Sequence, residues 1–450
     1  MAFAYSLQIS AQRFSKADIL SDLNYLRTSL EETHFNLFAY TTKEAFERNF
    51  QDIRKEVTAD SLDLLAVTNL FQRMVSKANN AHTRIPFPVQ PYLSYANTGG
   101  TVFPLEVAIE SGKAYVRKNW STNSNIAIGS ELKSINGMPI KKVFEKIYPQ
   151  ISAERLYFKQ AQLESFTLPR HYWQVFGEHS EFEVELEQNG NLLTYTLQAI
   201  NAIEAYEMKR GDILQHDRDF KYLNEAVAYL RPGALSGEED LYQKFIDSTF
   251  TDVNDKKVEN LIIDLRNNPG GDDAFSDYLV SYIADKPFKW TSKFQLKTSA
   301  ILKKNVQQTK DTTQAFWRSV VAHKNGEIYH YDFDFYDPQP LPKRYQGKVY
   351  VLVNRQSYSQ STVTAAQIQD YGFGKIVGEE TAEFPNLFAS IFNYKLPKTG
   401  IAVDVSKGKI KRINGVDDGQ GVIPDIHIND HLLDEEDEIL KELLKKLSEE

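Results

Sequence analysis

The chain has 450 residues, 42% hydrophobic and 25% charged, which is ordinary globular composition and enough for two or three domains with cores of their own. A net charge of −9 with scattered basic residues argues against a nucleic-acid partner. The absence of cysteine excludes disulfides, thiolate catalysis and zinc–thiolate sites, and no apolar run reaches the length of a membrane span.

At the N-terminus, Ala2 to Ile9 is short and apolar and is followed by Ser10-Ala11-Gln12. This reads as the remnant of an export signal and predicts a periplasmic or extracellular protein; the other reading is a partly apolar arm on a cytoplasmic one. Residues 16–100 read as a helical domain, with one apolar stripe at Ile19, Leu23, Leu26 and Leu30, a second at Phe46, Phe50 and Ile53, and a third helix from Leu64 to Val75. In KANNAHTRIPFP the two asparagines end a helix, and Pro86 and Pro88 force an extended path. His82 therefore sits at a junction from which a side chain can be aimed. His34, among Phe35, Leu37 and Phe38, reads as core.

Residues 101–205 switch to short strands, with a hairpin at Ser111-Gly112, a helix from Lys141 to Ile147 and a late strand pair around Asn189-Gly190. Gly129, Leu132, Ile135, Asn136 and Gly137 resemble the G-x-x-L-x-x-I-N-G signature of PDZ domains, which implies an edge groove for an extended peptide. The stretch Tyr157 to Phe176 exceeds a minimal PDZ domain and reads as an insertion or a linker helix.

Residues 206–430 read as an α/β core. Leu261 to Leu265 is a continuous apolar strand leading to Gly270-Gly271 and a helix from Ala274, a turn whose N–H groups can hold an oxyanion or merely connect two elements. A second buried strand, Val349 to Val353, leads through Ser357, Ser359 and Ser361 into a helix ended by Gly372 and Gly374. A serine there is lifted from the sheet to the positive end of the helix dipole, as nucleophiles are; serine is also a common N-cap. Lys289 to Tyr345 is polar and aromatic and suggests no role. Residues 431–450 predict an acidic amphipathic helix, running from Leu432 to Leu447.

Four stretches together resemble the tail-specific, or C-terminal-processing, serine peptidases, including relatives of the tricorn protease core. LIIDLRNNPGGD resembles the family's D-L-R-x-N-x-G-G strand end, VNRQSYSQSTVTAAQ its nucleophile region, DDGQGVIPDI its closing E-G-x-G-V-x-P-D, and NAHTRI its D-x-H-T segment. They occur in the family's order, with the PDZ-like insert in its place, across about Lys16 to Asp430. The resemblance implies a mixed multidomain α/β fold with a ClpP/crotonase-like core. It also implies a nucleophile at Ser359, a general base at His82 and an oxyanion hole at Gln360 and Gly270 or Gly271, with Ser357 and Ser361 as turn and cap residues. The closing motif puts the acid on Asp418. Aspartate is one methylene shorter than the usual glutamate, so either Asp418 comes closer or Asp417 takes the role. The lysine of the family's Ser–Lys branch is absent: in Thr381-Ala382-Glu383-Phe384 its position holds Phe384.

The expected function is a serine endopeptidase acting on polypeptides through a Ser–His–Asp triad without metal or cofactor, and the resemblance implies that the PDZ-like domain either recognises an apolar C-terminus or gates the active site. The alternative is a non-catalytic protein binding peptide or an apolar ligand on the same scaffold.

Overall fold

The computed structural model describes residues 12–449, so the apolar stretch Ala2 to Ile9 behind the export reading lies outside the described residues. The strands Val227–Arg231, Asn260–Asp264, Lys348–Val353, Lys375–Gly378 and Ile426–His427 lie side by side and parallel, with Asp219–Tyr222 antiparallel on the outer edge. The two central strands are apolar on both sides because both faces of the sheet are covered. The helices Glu239–Asp255, Asp273–Ser281 and Gln360–Tyr371 bury one face through Ile246, Phe250, Leu279 and Ile368. The C-terminal helix covers the other, setting Ile439 and Leu443 against Ile262, Leu352 and Val377. It spans Glu438–Glu449 and starts later than expected, because Asp437 accepts the Leu440 N–H and caps it there.

Residues 101–205 form an antiparallel sheet ordered Leu105–Glu110, Lys113–Asn119, Glu131–Ile135, Glu181–Gln188, Asn191–Gln198. Its three tight turns, Ser111-Gly112, Asn136-Gly137 and Asn189-Gly190, have positive φ at both residues, the backbone that matches strand twist. The stretch read as an insertion or linker is two helices, Leu156–Phe166 and Leu168–Phe176. Leu163, Leu168 and Tyr172 pack into the core under this sheet.

The unassigned segment 289–345 supplies half of a third sheet, antiparallel in the order Ile328–Tyr331, Lys293–Lys297, Ala402–Lys411, Phe388–Lys395. It shares one core with the N-terminal helices Lys16–Thr33, Lys43–Glu56 and Leu64–Ser76, whose two apolar stripes are buried as their spacing predicts. Ile85 to Pro88 lies outside any helix, as the prolines require, and a helix then follows at Val89–Asn97 with Pro88 at its N-cap, where a missing N–H costs nothing.

Candidate active site

The strand Lys348–Val353 ends in a turn tied down by Ser357, whose hydroxyl donates to Leu265 O at 2.7 Å and accepts the Asn354 N–H at 3.1 Å. Tyr358 N–H then donates to Asn268 O at 3.0 Å, hooking the chain to the neighbouring strand's loop. Ser359 follows with φ 56° and ψ −123°, a conformation costing about 1–3 kcal/mol for a residue with a Cβ. It stands at the N-cap of Gln360–Tyr371, yet its side chain makes no capping hydrogen bond. Its hydroxyl is thus held out on a strained elbow rather than spent on the helix. Ser361 is no cap either; its Oγ is buried without a hydrogen bond.

The Gly-Gly turn packs directly beneath this elbow. A Cβ on Gly270 would stand 2.6 Å from Tyr358 O, 2.7 Å from Gln360 N and 2.8 Å from Ser359 Cβ. One on Gly271 would stand 1.9 Å from Leu235 O. Only residues without a Cβ let the two loops approach this closely. Gly270 donates its N–H to Asn268 Oδ1 at 3.0 Å, whereas Gly271 lines the same cavity as Ser359 and Gln360.

His82 is 1% exposed, so the loop histidine is no surface group. Its loop is bolted to the third sheet by reciprocal backbone hydrogen bonds between Arg84 and Asp404, at 3.0 and 2.8 Å, and by the Ser406 N–H donating to Thr83 Oγ1 at 3.1 Å. The ring stacks on Tyr358 (centroids 4.9 Å apart, planes at 21°), and its Nδ1 lies 3.2 Å from the Tyr358 hydroxyl. Burial raises the Tyr358 phenol above its ordinary value, which keeps it protonated. His34, the other candidate, is a core residue: it is buried, accepts the Asn36 N–H at 3.0 Å, and burial lowers its pKa to about 4.

The carboxylate beside the imidazole is Glu383, not the expected Asp418. Glu383 is wholly buried, and its Oε1 lies 2.8 Å from His82 Nε2, close but out of line for a hydrogen bond. Its Oε2 accepts the backbone N–H of Ser359. Arg155 braces this loop, donating to Ala382 O at 2.9 Å and Thr381 O at 2.7 Å. Asp418 is exposed and accepts the Gln420 N–H at 3.1 Å, so its carboxylate is used by its own turn; Asp417 is exposed on the same turn. Phe384, at the lysine position, packs its ring under the Arg155 guanidinium at 4.9 Å. A second acid, Glu154, accepts from Asn80 Nδ2 at 2.8 Å and from the Ala81 N–H at 3.1 Å. Burial, then the charge of Glu383, pushes its pKa up to about 7.

His82, Ser359, Gln360 and Gly271 open on one cavity of about 790 Å³. Most of its wall comes from the segment that the sequence left unassigned and from the strand Phe388–Lys395: Trp290, Phe294, Phe316, Trp317, Phe333 and Phe392. Sequence reasoning missed this wall and Glu383. Glu383 carried one signal, an acidic residue just before the position of the family's lysine.

Residues 226–428 match the family model of Peptidase family S41. No curated protein sequence matches the chain. Among solved structures, mature CPAF is similar at 15% identity and a TM-score of 0.65, covering 96% of each chain. Mature CPAF complexed with lactacystin is similar at 15% identity and a TM-score of 0.65, covering 96% of this chain and 97% of that one. The photosystem II D1 C-terminal processing protease matches at 17% identity and a TM-score of 0.45, over 92% and 93% of the two chains. The chain carries a Peptidase family S41 domain over residues 226–428, and it is a serine-type peptidase, a hydrolase of polypeptide substrates.

Proposed function

We propose that this peptidase cuts within polypeptide chains with Ser359 as nucleophile, His82 as general base and Glu383 as the acid that orients the base. The observation that carries this reading is the Ser359 elbow: a strained serine at a helix N-terminus whose hydroxyl does not cap the helix, facing a cavity it shares with a buried histidine that has a buried carboxylate at its side. Ser359 Oγ attacks the scissile carbonyl while His82 takes its proton. The N–H groups of Gly271 and Gln360 receive the developing oxyanion, which typically supplies several kcal/mol. His82 then hands the proton to the leaving amine, and water releases the acyl group from Ser359.

No hydrogen bond joins Ser359 Oγ to the imidazole among the described residues; the ring nitrogens face Glu383 and Tyr358. The form described is a resting one, in which His82 turns towards the serine before reaction. The antiparallel sheet of residues 105–198 supports a PDZ-like role for this module, holding the C-terminal end of a substrate as an added strand.

Intact mass after incubation with a fluorophosphonate tests the reading. One adduct is expected on the wild type and none on Ser359→Ala or His82→Ala. An adduct that persists in Ser359→Ala moves the nucleophile elsewhere, and no adduct with any of the three favours a non-catalytic binding protein.

A further inference from the structure

Beyond the catalytic groups at its mouth, the cavity contains a feature that the chemistry of peptide hydrolysis does not require. Lys407 lines it and is 2% exposed. Its ammonium donates to Ser390 O at 2.6 Å and to Ser390 Oγ at 2.8 Å, both neutral acceptors, and no carboxylate pairs with it among the described residues. The backbone is bent to make this possible. The ladder between Phe388–Lys395 and Ala402–Lys411 pairs Ala389 with Gly408 and Ile391 with Ser406, and skips only Ser390 opposite Lys407. Ser390 there has φ 55°, a strained value for a residue with a side chain.

A second cation joins it. Lys310, exposed at the end of another element, lines the same cavity, and its ammonium sits 5.1 Å from the ring centroid of Trp317, over which Lys407 sits at 5.6 Å. The acids on the cavity wall, Asp272 and Asp273, belong to the Gly-Gly turn, where Asp272 accepts the Ala274 N–H at 3.0 Å and caps its helix. An ammonium buried without a counter-charge is costly, and an incoming anion that supplies one recovers part of that cost. The volume lies in the range of about 300–1,000 Å³ that encloses small ligands, room for more than one side chain.

We propose that this cavity is the substrate pocket of Ser359 and that it selects a peptide segment placing a carboxylate beside an apolar side chain. The carboxylate is held by Lys407 and Lys310, and the apolar side chain by the aromatic wall. This rests on the serine-peptidase reading above and adds the substrate class. The carboxylate can come from a Glu or Asp side chain or from the end of the substrate chain, and one experiment separates the two.

At pH 6, below the lowered pKa of Lys407, Ser359→Ala protein is titrated with acetyl-Ala-Ala-Phe-Glu-amide, acetyl-Ala-Ala-Phe-Gln-amide and acetyl-Ala-Ala-Phe-Gln with a free C-terminus, following the fluorescence of Trp290 and Trp317. One or both carboxylate peptides are expected to bind at least about tenfold more tightly than the neutral one, a difference of about 1.4 kcal/mol. A preference for the Glu peptide identifies a side-chain carboxylate, and a preference for the free C-terminus identifies the chain end. Lys407→Met in the same background should abolish the preference. Lys310→Met, a surface change that leaves folding intact, should reduce it. Equal binding of all three peptides, or binding of none, overturns the proposal. Fluorophosphonate labelling of the wild type is run in parallel: an adduct without a carboxylate preference defeats only the pocket, and a preference without an adduct defeats only the catalytic reading.

Discussion

Glu383 holds Ser359 by its backbone: the carboxylate that faces the His82 imidazole also accepts the N–H of the proposed nucleophile. One buried acid thus touches both groups of the proposed reaction. Glu383→Gln keeps an acceptor for the Ser359 N–H but removes the charge beside His82. Its kcat/KM on an unstructured protein substrate should fall by about 10²–10⁴-fold, in the range seen when a triad acid is neutralised. Asp418→Asn, an exposed change, should leave the rate roughly unchanged. The reverse ranking would return the acid to the closing motif.

Gly270 is where the site is least tolerant of added atoms. The Cβ of Gly270→Ala would press on Tyr358 O and Gln360 N, and the residue has φ 81°. We expect destabilisation of about 1–3 kcal/mol in urea unfolding. Fluorophosphonate labelling should be lost even at temperatures where the variant is fully folded, because the Ser359 elbow rests on this turn.

The buried acid beside the His82 loop gives a pH signature. Glu154 has its pKa pushed from an ordinary 4.5 up to about 7, first by burial and then by Glu383. Between those values the folded protein holds a proton that the unfolded chain has lost, so stability falls as pH rises through this window. Glu154→Gln retains an acceptor for Asn80 and Ala81 without the charge. It should be more stable than the wild type by up to about 3 kcal/mol at pH 8 and indistinguishable from it near pH 4, as read by denaturant midpoints.

Lys407 works in the opposite direction. Burial, with Lys310 nearby, lowers its pKa from 10.5 to about 7. Between pH 7 and 10.5 the unfolded chain binds the proton and the folded protein does not, so this group adds stability as pH rises. The melting temperature of the wild type should therefore gain on that of Lys407→Met between pH 7 and pH 9. A constant gap across that range would mean that the lysine is charged throughout.

What the sequence disclosed follows from how local the cause is. The serine elbow and the Gly-Gly turn were legible because each follows directly on a buried strand, so that the strand's apolar run and the residue types of the turn mark it within a few residues of chain. The apolar stripes of Lys16–Thr33 and Lys43–Glu56 were legible because burial repeats with the helix period. Glu383 was not, because its partners His82 and Ser359 are brought to it only by the tertiary fold. The aromatic wall was hidden for a related reason. Trp290, Phe294, Phe316 and Phe333 face one cavity from separate strands, helices and loops, and so show no period in the chain. Motif position fixes the order of residues but not which side chain reaches the ring, and Asp418 lies exposed on its own turn while Glu383 lies beside His82.

Alternation along Ala402–Lys411 sends consecutive residues to opposite faces of its sheet. Ser406 points one way and donates to Asn80 Oδ1 at 2.8 Å, two residues before His82, while Lys407 points the other way into the cavity. The loop of His82 and the lysine of the cavity wall are therefore held by consecutive residues of one strand. One short stretch of strand thus braces the histidine's loop on one face and closes the cavity on the other.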